Sequence, residues 1–257
     1  MRNLRYMLAK ELRSLFVSPI AYVVIPGFLI LSGFFFYDLL TSYARLVSFY
    51  QIYRNPMVLD QLNVNDFVIS PLFQNINVLL LLIIPLITMR LFAEEKRQGT
   101  DELLFTLPIR TGEIVLGKAL AAVLFFLVIL VLTAPYPIIL AKISNPDLGK
   151  ILSAYLGLFL MGVSFISLGL FASSLTDNQI IAAVLGFSAL LLFWIVGWIA
   201  ETSAGALATV LGALSLTNHF EGFAKGVLEI KDLVYFITFI GFWIFLTLRS
   251  VESVRWR

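Results

Sequence analysis

The chain has 257 residues, of which 60% are hydrophobic, 14% aromatic and only 13% charged. A soluble domain is about 25% charged, so this chain cannot coat a water-facing surface of its size, and a soluble domain, a disordered chain and a basic nucleic-acid binder are all excluded. The net charge of +2 points to no electrostatic partner. With no cysteine and one histidine, disulfides, thiolate metal sites, cysteine nucleophiles and a His-rich metal site are out of reach of this chain alone.

Residues 1–18 read as an amphipathic helix. On a 3.6-residue period Leu4, Met7, Leu8, Leu12 and Leu15 share one face, while Arg2, Lys10 and Arg13 lie opposite. Such a helix lies in the membrane interface. Glu11 falls seven residues after Leu4, inside the apolar stripe, where a carboxylate needs a partner. Arg90, Lys96, Arg97 or a base on a partner protein are the candidates, the alternative being that this end of the helix lifts off the membrane and Glu11 is hydrated. The apolar run from Leu15 exceeds a signal-peptide core and no small-x-small cleavage site follows it, so the run reads as a retained span.

Six stretches are long enough to cross a membrane: Pro19–Leu40, Pro71–Met89, Ile114–Ala141, Ile151–Leu175, Gln179–Ala200 and Leu233–Leu248. The third carries Pro135 and Pro137 and should kink or stop there. The sixth is short, and either begins near Lys231 or crosses without tilt. With the termini on one side, that side carries 12 Lys and Arg and the other carries 6, which places both termini in the cytoplasm. Thr41 to Ser70 reads as an outer loop with short helices. Glu201 to Asp232 reads as another, whose uncharged stretch Ala204–Leu216 is too short to cross and forms a re-entrant or interfacial piece. No internal repeat or low-complexity linker appears, so residues 1–257 read as a single all-α, six-span domain.

Ionisable residues at membrane depth mark ion pathways, and none stands out, since Asp38 and Glu201 both sit at span ends. The energy for any transport therefore comes from outside this chain. His219, beside Asn218 and Glu221, reads as a loop histidine without a special role. Ser164 and Ser188 lack a histidine in any span to act as base, which removes an intramembrane serine protease. Gly112–Ala119 matches a phosphate-loop pattern, but Ala119 replaces the magnesium-holding Ser or Thr. Its amides belong to the start of a helix, so the chain does not hydrolyse ATP.

The segment between the second and third spans, residues 90–113, is the most informative. Gly99 after Gln98 reads as a left-handed helix end, and Thr100 as the N-cap of a new helix with Asp101 and Glu102 at its positive end. Pro108 stops that helix, which carries Leu103, Leu104 and Leu107 on one face. A two-turn helix is poorly stable alone. Its apolar face either rests on lipid and the protein's own helices or docks on a partner, and the residues alone leave both open.

Arg90-Leu-Phe-Ala-Glu-Glu-Lys-Arg-x-Gly99-Thr-x-Glu-Leu-Leu104-x-Thr-x-Pro108 resembles the signature of membrane subunits of type-2, export-class ABC transporters. Leu8–Arg13 is similar to that family's amphipathic N-terminal helix, and Phe171–Gln179 to its turn between spans four and five, where Thr176-x-x-Gln179 reads as a capping box. His219–Gly226, Asp232 and Arg255–Arg257 look most like the gliding-motility and multicopper-enzyme-maturation branch. The resemblance implies a separate cytoplasmic ATPase, in two copies, that binds ATP and Mg while this chain binds no cofactor. It also implies a second permease, identical or paralogous, surrounding lipid and an extracytoplasmic accessory protein, with no nucleic acid. The membrane would be a bacterial-type inner (plasma) membrane. Carried over by position, the ATPase contact comprises Glu94, Glu95, Lys96, Arg97, Gly99, Thr100, Glu102, Leu103, Leu104, Leu107 and Pro108, with Glu11 tying the N-terminal helix to it. The alternative is a membrane anchor that relays ATPase motion to an extracytoplasmic assembly without moving cargo. The outer region and the 23 phenylalanines do not name a cargo, and lipid-facing packing explains the phenylalanines.

Overall fold

The computed structural model describes residues 2–53, 63–100 and 110–255. Helix α1, Arg2–Val17, ends where Ser18 precedes Pro19. Helix α2, Pro19–Tyr53, then begins with proline at a position that needs no amide donor. A π-helical turn, Asn65–Ile69, leads into α3, Ser70–Thr88, and after a one-residue break at Met89 comes α4, Arg90–Gln98. Helices α5, Thr111–Val131, and α6, Pro135–Ile143, together make the third crossing. They are followed by α7, Leu148–Ser174, and α8, Gln179–Thr202. The short helices α9, Ala206–Leu214, and α10, Leu216–Ala224, precede α11, Ile230–Arg255.

Six helical segments among the described residues are long and apolar enough to cross a membrane, so this is an all-α polytopic membrane protein. An even number of crossings puts the two ends of the chain on one face, here called the terminal face. Helices α3 and α7 lie at the centre and are the most buried, with α5 beside them. Helices α2, α8 and α11 are peripheral and turn Ile30, Ile180 and Ile237 outward, as lipid-facing surfaces do. The third crossing breaks where its prolines predicted. Pro135 offers no amide to the turn before it, the chain turns at residues 132–134, and Tyr136 pins α6 to α2 through its hydroxyl, 2.8 Å from Ser32 Oγ.

Several boundaries differ from the sequence reading. The loop expected from Thr41 is helical to Tyr53, because α2 continues past the span and Tyr43 packs its ring against Phe67, 5.9 Å away. The sixth crossing takes the earlier of its two expected starts: Asp232 sits in the first turn of α11, at its positive end, and the helix begins at Ile230, next to Lys231. Thr176 does not cap α8. Asn178 does, its side-chain oxygen accepting from the amides of Ile180 and Ile181 at 2.9 and 3.4 Å, while Thr176 Oγ1 accepts from the Asn178 amide.

His219 is likewise not a plain loop residue. It lies on α10, its Nδ1 is 2.6 Å from Asp232 Oδ1, its Nε2 is 3.2 Å from the Ala213 carbonyl oxygen, and its ring stacks on Tyr235 at 4.0 Å. Folding the α9–α10 hairpin back onto α11 creates this latch, which linear position does not reveal.

Candidate functional site: a buried charge cluster at the terminal face

Helix α1 presents Met7, Glu11 and Leu15 at a four-residue spacing, and all three are buried against the start of α5. Gly117 makes this approach possible: a Cβ there would fall 2.8 Å from Met7 Cγ. One residue later on α5, Lys118 is only 1% exposed. Its Nζ lies 3.1 Å from Glu11 Oε1 and 2.8 Å from Glu95 Oε2, and it also donates to the Leu91 carbonyl oxygen. An ammonium has three protons and no acceptor, so three acceptors satisfy it completely. The Phe92 ring adds a face 5.2 Å away.

Lys10 closes the cluster, donating to Glu95 Oε1 at 2.9 Å and lying 3.5 Å from Glu11 Oε1. Two cations and two carboxylates therefore sum to zero charge. Burial works against the charge on Lys10, but the hydrogen bond and charge of Glu95 outweigh it and hold the ammonium above its ordinary range. A cleft of about 250 Å³ opens beside the cluster, with Ser14, Arg90, Glu94 and Thr100 on its walls. Arg90 pairs with Glu94 at 2.8 Å and reaches Ser14 Oγ at 3.4 Å, a further bond between α1 and α4.

Helix α4 is itself docked on α7. The break at Met89 frees backbone groups at the start of α4, and Ser173 takes them up: its Oγ accepts from the Phe92 and Ala93 amides at 3.1 and 3.2 Å and donates to the Met89 carbonyl oxygen at 2.8 Å. Lys96 donates to the Ser174 carbonyl oxygen, and Ser174 Oγ bonds Ser250 on α11 at 2.9 Å. Gly99 ends α4 in the left-handed conformation, φ 65°, as its place after Gln98 predicts.

The sequence-predicted residues divide accordingly. Glu11 has the partner its position demands, but the partner is Lys118 on α5 and not Arg90, Lys96 or Arg97, because α1 packs along α5. Glu95 joins the same cluster, Glu94 pairs with Arg90 within α4, Lys96 bonds the end of α7, and Arg97 is exposed. Thr100 donates its hydroxyl to the Glu95 carbonyl oxygen at 3.3 Å. Glu102, Leu103, Leu104, Leu107 and Pro108 lie outside the described residues. Sequence reading missed Lys118, Ser173 and Ser174. The lysine stood inside the phosphate-loop lookalike, which is the first part of α5, and is the eighth residue from the span's end at the terminal face. The serines stood inside Phe171–Gln179, so the resemblance marked the segment but not their task.

The cluster can bind charge to charge across three helices, but it holds no nucleophile and base in a catalytic arrangement. The family model of the ABC-2 family transporter proteins matches residues 28–248, and the chain belongs to that family. It is thus a membrane component of an ABC transporter, distinct from the ATPase that powers one. No curated protein sequence matches it.

Proposed function

We propose that the chain is the permease subunit of an ATP-binding cassette exporter. Two copies of a separate ATPase hydrolyse ATP with Mg on the cytoplasmic side, and a second permease, identical or paralogous, completes the path. The terminal face is the cytoplasmic one, following the 12-to-6 bias of its basic residues, and the membrane is a bacterial inner membrane. Thr100 to Pro108 forms the coupling helix, with Leu103, Leu104 and Leu107 toward the ATPase. On the strength of its C-terminal resemblance, the chain is nearest the gliding-motility and multicopper-enzyme-maturation branch, and an extracytoplasmic accessory protein completes that machine.

The observation that carries this reading is the Lys118–Glu11–Glu95 contact. It joins the N-terminal helix, the arm that leads into the coupling segment and the foot of the third crossing. Separating buried opposite charges is costly, so the three elements move together when the arm is pushed.

The test is copurification with the ATP-binding subunit that partners this chain. Leu104→Glu should release the ATPase while leaving the permease in the membrane. Glu11→Gln should keep the complex but lower its ATPase activity in vesicles. A complex that survives charge at both Leu104 and Leu107, with unmutated activity for Glu11→Gln, would overturn the assignment. ATPase activity that no added substrate stimulates would favour relay of motion to the accessory protein over transport.

A further inference from the structure

A second cavity lies near the face opposite the termini, enclosed by α3, α8 and α10, with a volume of about 310 Å³. That is the size of a small ligand site. Gln74, Asn75 and Asn77 enter it from α3, Trp194 and Trp198 from α8, and Asn218 from α10. At 1.5 Å per residue, Gln74 to Val78 lie about 6–12 Å in from the start of α3, and the two tryptophans about the same distance from the end of α8. The wall is built tightly. Gly197 sits between the tryptophans, and a Cβ there would collide with Thr217 Oγ1 and come 2.7 Å from Ser215 Oγ, so only glycine lets α10 close against α8.

Asn77 is 3% exposed and its Oδ1 has no hydrogen-bond partner. An unpaired buried amide oxygen costs about 1–3 kcal/mol, and turning the Asn77 side chain into the cavity it lines would let a bound donor complete it. The lining identifies that group. Amides and the Thr217 hydroxyl each both donate and accept, which matches hydroxyl groups. Neither Lys nor Arg lines the cavity, so a phosphate finds no counter-charge, and Glu221 is already paired with Lys225, so an ammonium finds no spare carboxylate. Trp194 and Trp198, with ring centroids 4.5 Å apart and tilted by 54°, offer the electron-rich faces that the slightly positive C–H bonds of a sugar ring favour. Val78 and the exposed Trp198 edge give the cavity an apolar margin on the outer surface of the helices.

We infer that this cavity binds the neutral, polyhydroxylated headgroup of a glycosylated molecule, its ring against Trp194 and Trp198 and its hydroxyls on Asn77, Gln74 and Asn218. The inference rests on the transport reading only for what the ligand is used for. Binding is therefore measured on the permease alone, without ATPase or ATP, so that its failure leaves the coupling assignment standing.

The full chain in phosphatidylcholine nanodiscs is titrated with glucosyl diacylglycerol, with free maltose and with phosphatidylglycerol, reading tryptophan fluorescence. A saturable response to the glucosyl lipid and the free sugar assigns recognition to the headgroup alone. A response to the glucosyl lipid only assigns it to a headgroup presented from the bilayer. Asn77→Leu, which removes the orphan acceptor and should fold at least as well, is expected to weaken binding at least tenfold. Trp198→Ala, at a 57% exposed residue, should do the same and serves if the first variant misfolds. No response to either sugar, an equal response to phosphatidylglycerol, or full binding by a folded variant overturns the inference.

Discussion

At the terminal face Lys118 is 1% exposed and meets acceptors from α1 and α4, with Glu11 107 residues away in sequence. At the opposite face Asp232 is 3% exposed and meets His219, only 13 residues away. Both arrangements satisfy a buried charge, but they tie together different lengths of chain. The first spans three elements, so moving any one of them exposes or unpairs a charge elsewhere. The second closes a hairpin on the helix that follows it and fixes local shape. Long-range charge pairing therefore ties α1, α4 and α5 together at the terminal face, and short-range pairing shapes the hairpin at the opposite face.

The sharpest way to break this contrast is Lys118→Ala. It leaves Glu11 and Glu95 buried against each other and should cost about 3–5 kcal/mol, read as a large loss of thermal stability of the purified permease. Lys118→Met combined with Glu11→Gln and Glu95→Gln should recover most of that loss, and a cost under about 1 kcal/mol for Lys118→Ala would refute the cluster. His219→Ala should cost about 1–3 kcal/mol, because it strands the Asp232 carboxylate. Hydrogen exchange should then rise in α9, α10 and the start of α11 but not in α1. Equal changes at both ends would erase the distinction between local and long-range pairing.

Gly117→Ala tests whether the cluster depends on close packing. The added methyl meets Met7 and should cost about 1–3 kcal/mol, with Met7→Ala in the same chain relieving much of it in a double-mutant cycle. Asn178→Ala should cost about 1 kcal/mol by uncapping α8, and Thr176→Ala less, which would separate the observed cap from the expected one. Lys10→Met should have the smallest effect, under about 1 kcal/mol, since its side chain is 54% exposed. Lys10 is raised above its ordinary 10.5, so its contribution is complete below that value and is lost as pH rises through the raised one. Unfolding of the wild-type and Lys10→Met chains should therefore differ at neutral pH and converge in strong alkali.

Much of the scaffold was legible because its causes are local. Twenty apolar residues make a span wherever they occur, Pro135 interrupts one, and Gly99 takes a left-handed turn at a helix end. Glu11 was legible as an anomaly, since a period of 3.6 places it among apolar neighbours. Its partner was not, because Arg90, Lys96 and Arg97 are chemically equivalent to Lys118 in sequence and only the line of contact between α1 and α5 selects Lys118. Asn178 was misjudged because two capping residues two positions apart compete, and the turn geometry chooses between them.

The sequence by itself determined that this is a helical, six-span membrane protein whose loop at residues 90–113 and turn at Phe171–Gln179 carry the signal of its class. Composition, period and proline position act within one helix and need no neighbour. Only the tertiary structure decided that Ser173 receives the freed amides of α4, that Lys118 gathers Glu11 and Glu95, and that Asn77 faces a cavity with two tryptophans. Each of these joins residues that are distant in the chain, and helix packing, through glycines such as Gly117 and Gly197 that let backbones approach, brings them within hydrogen-bond reach.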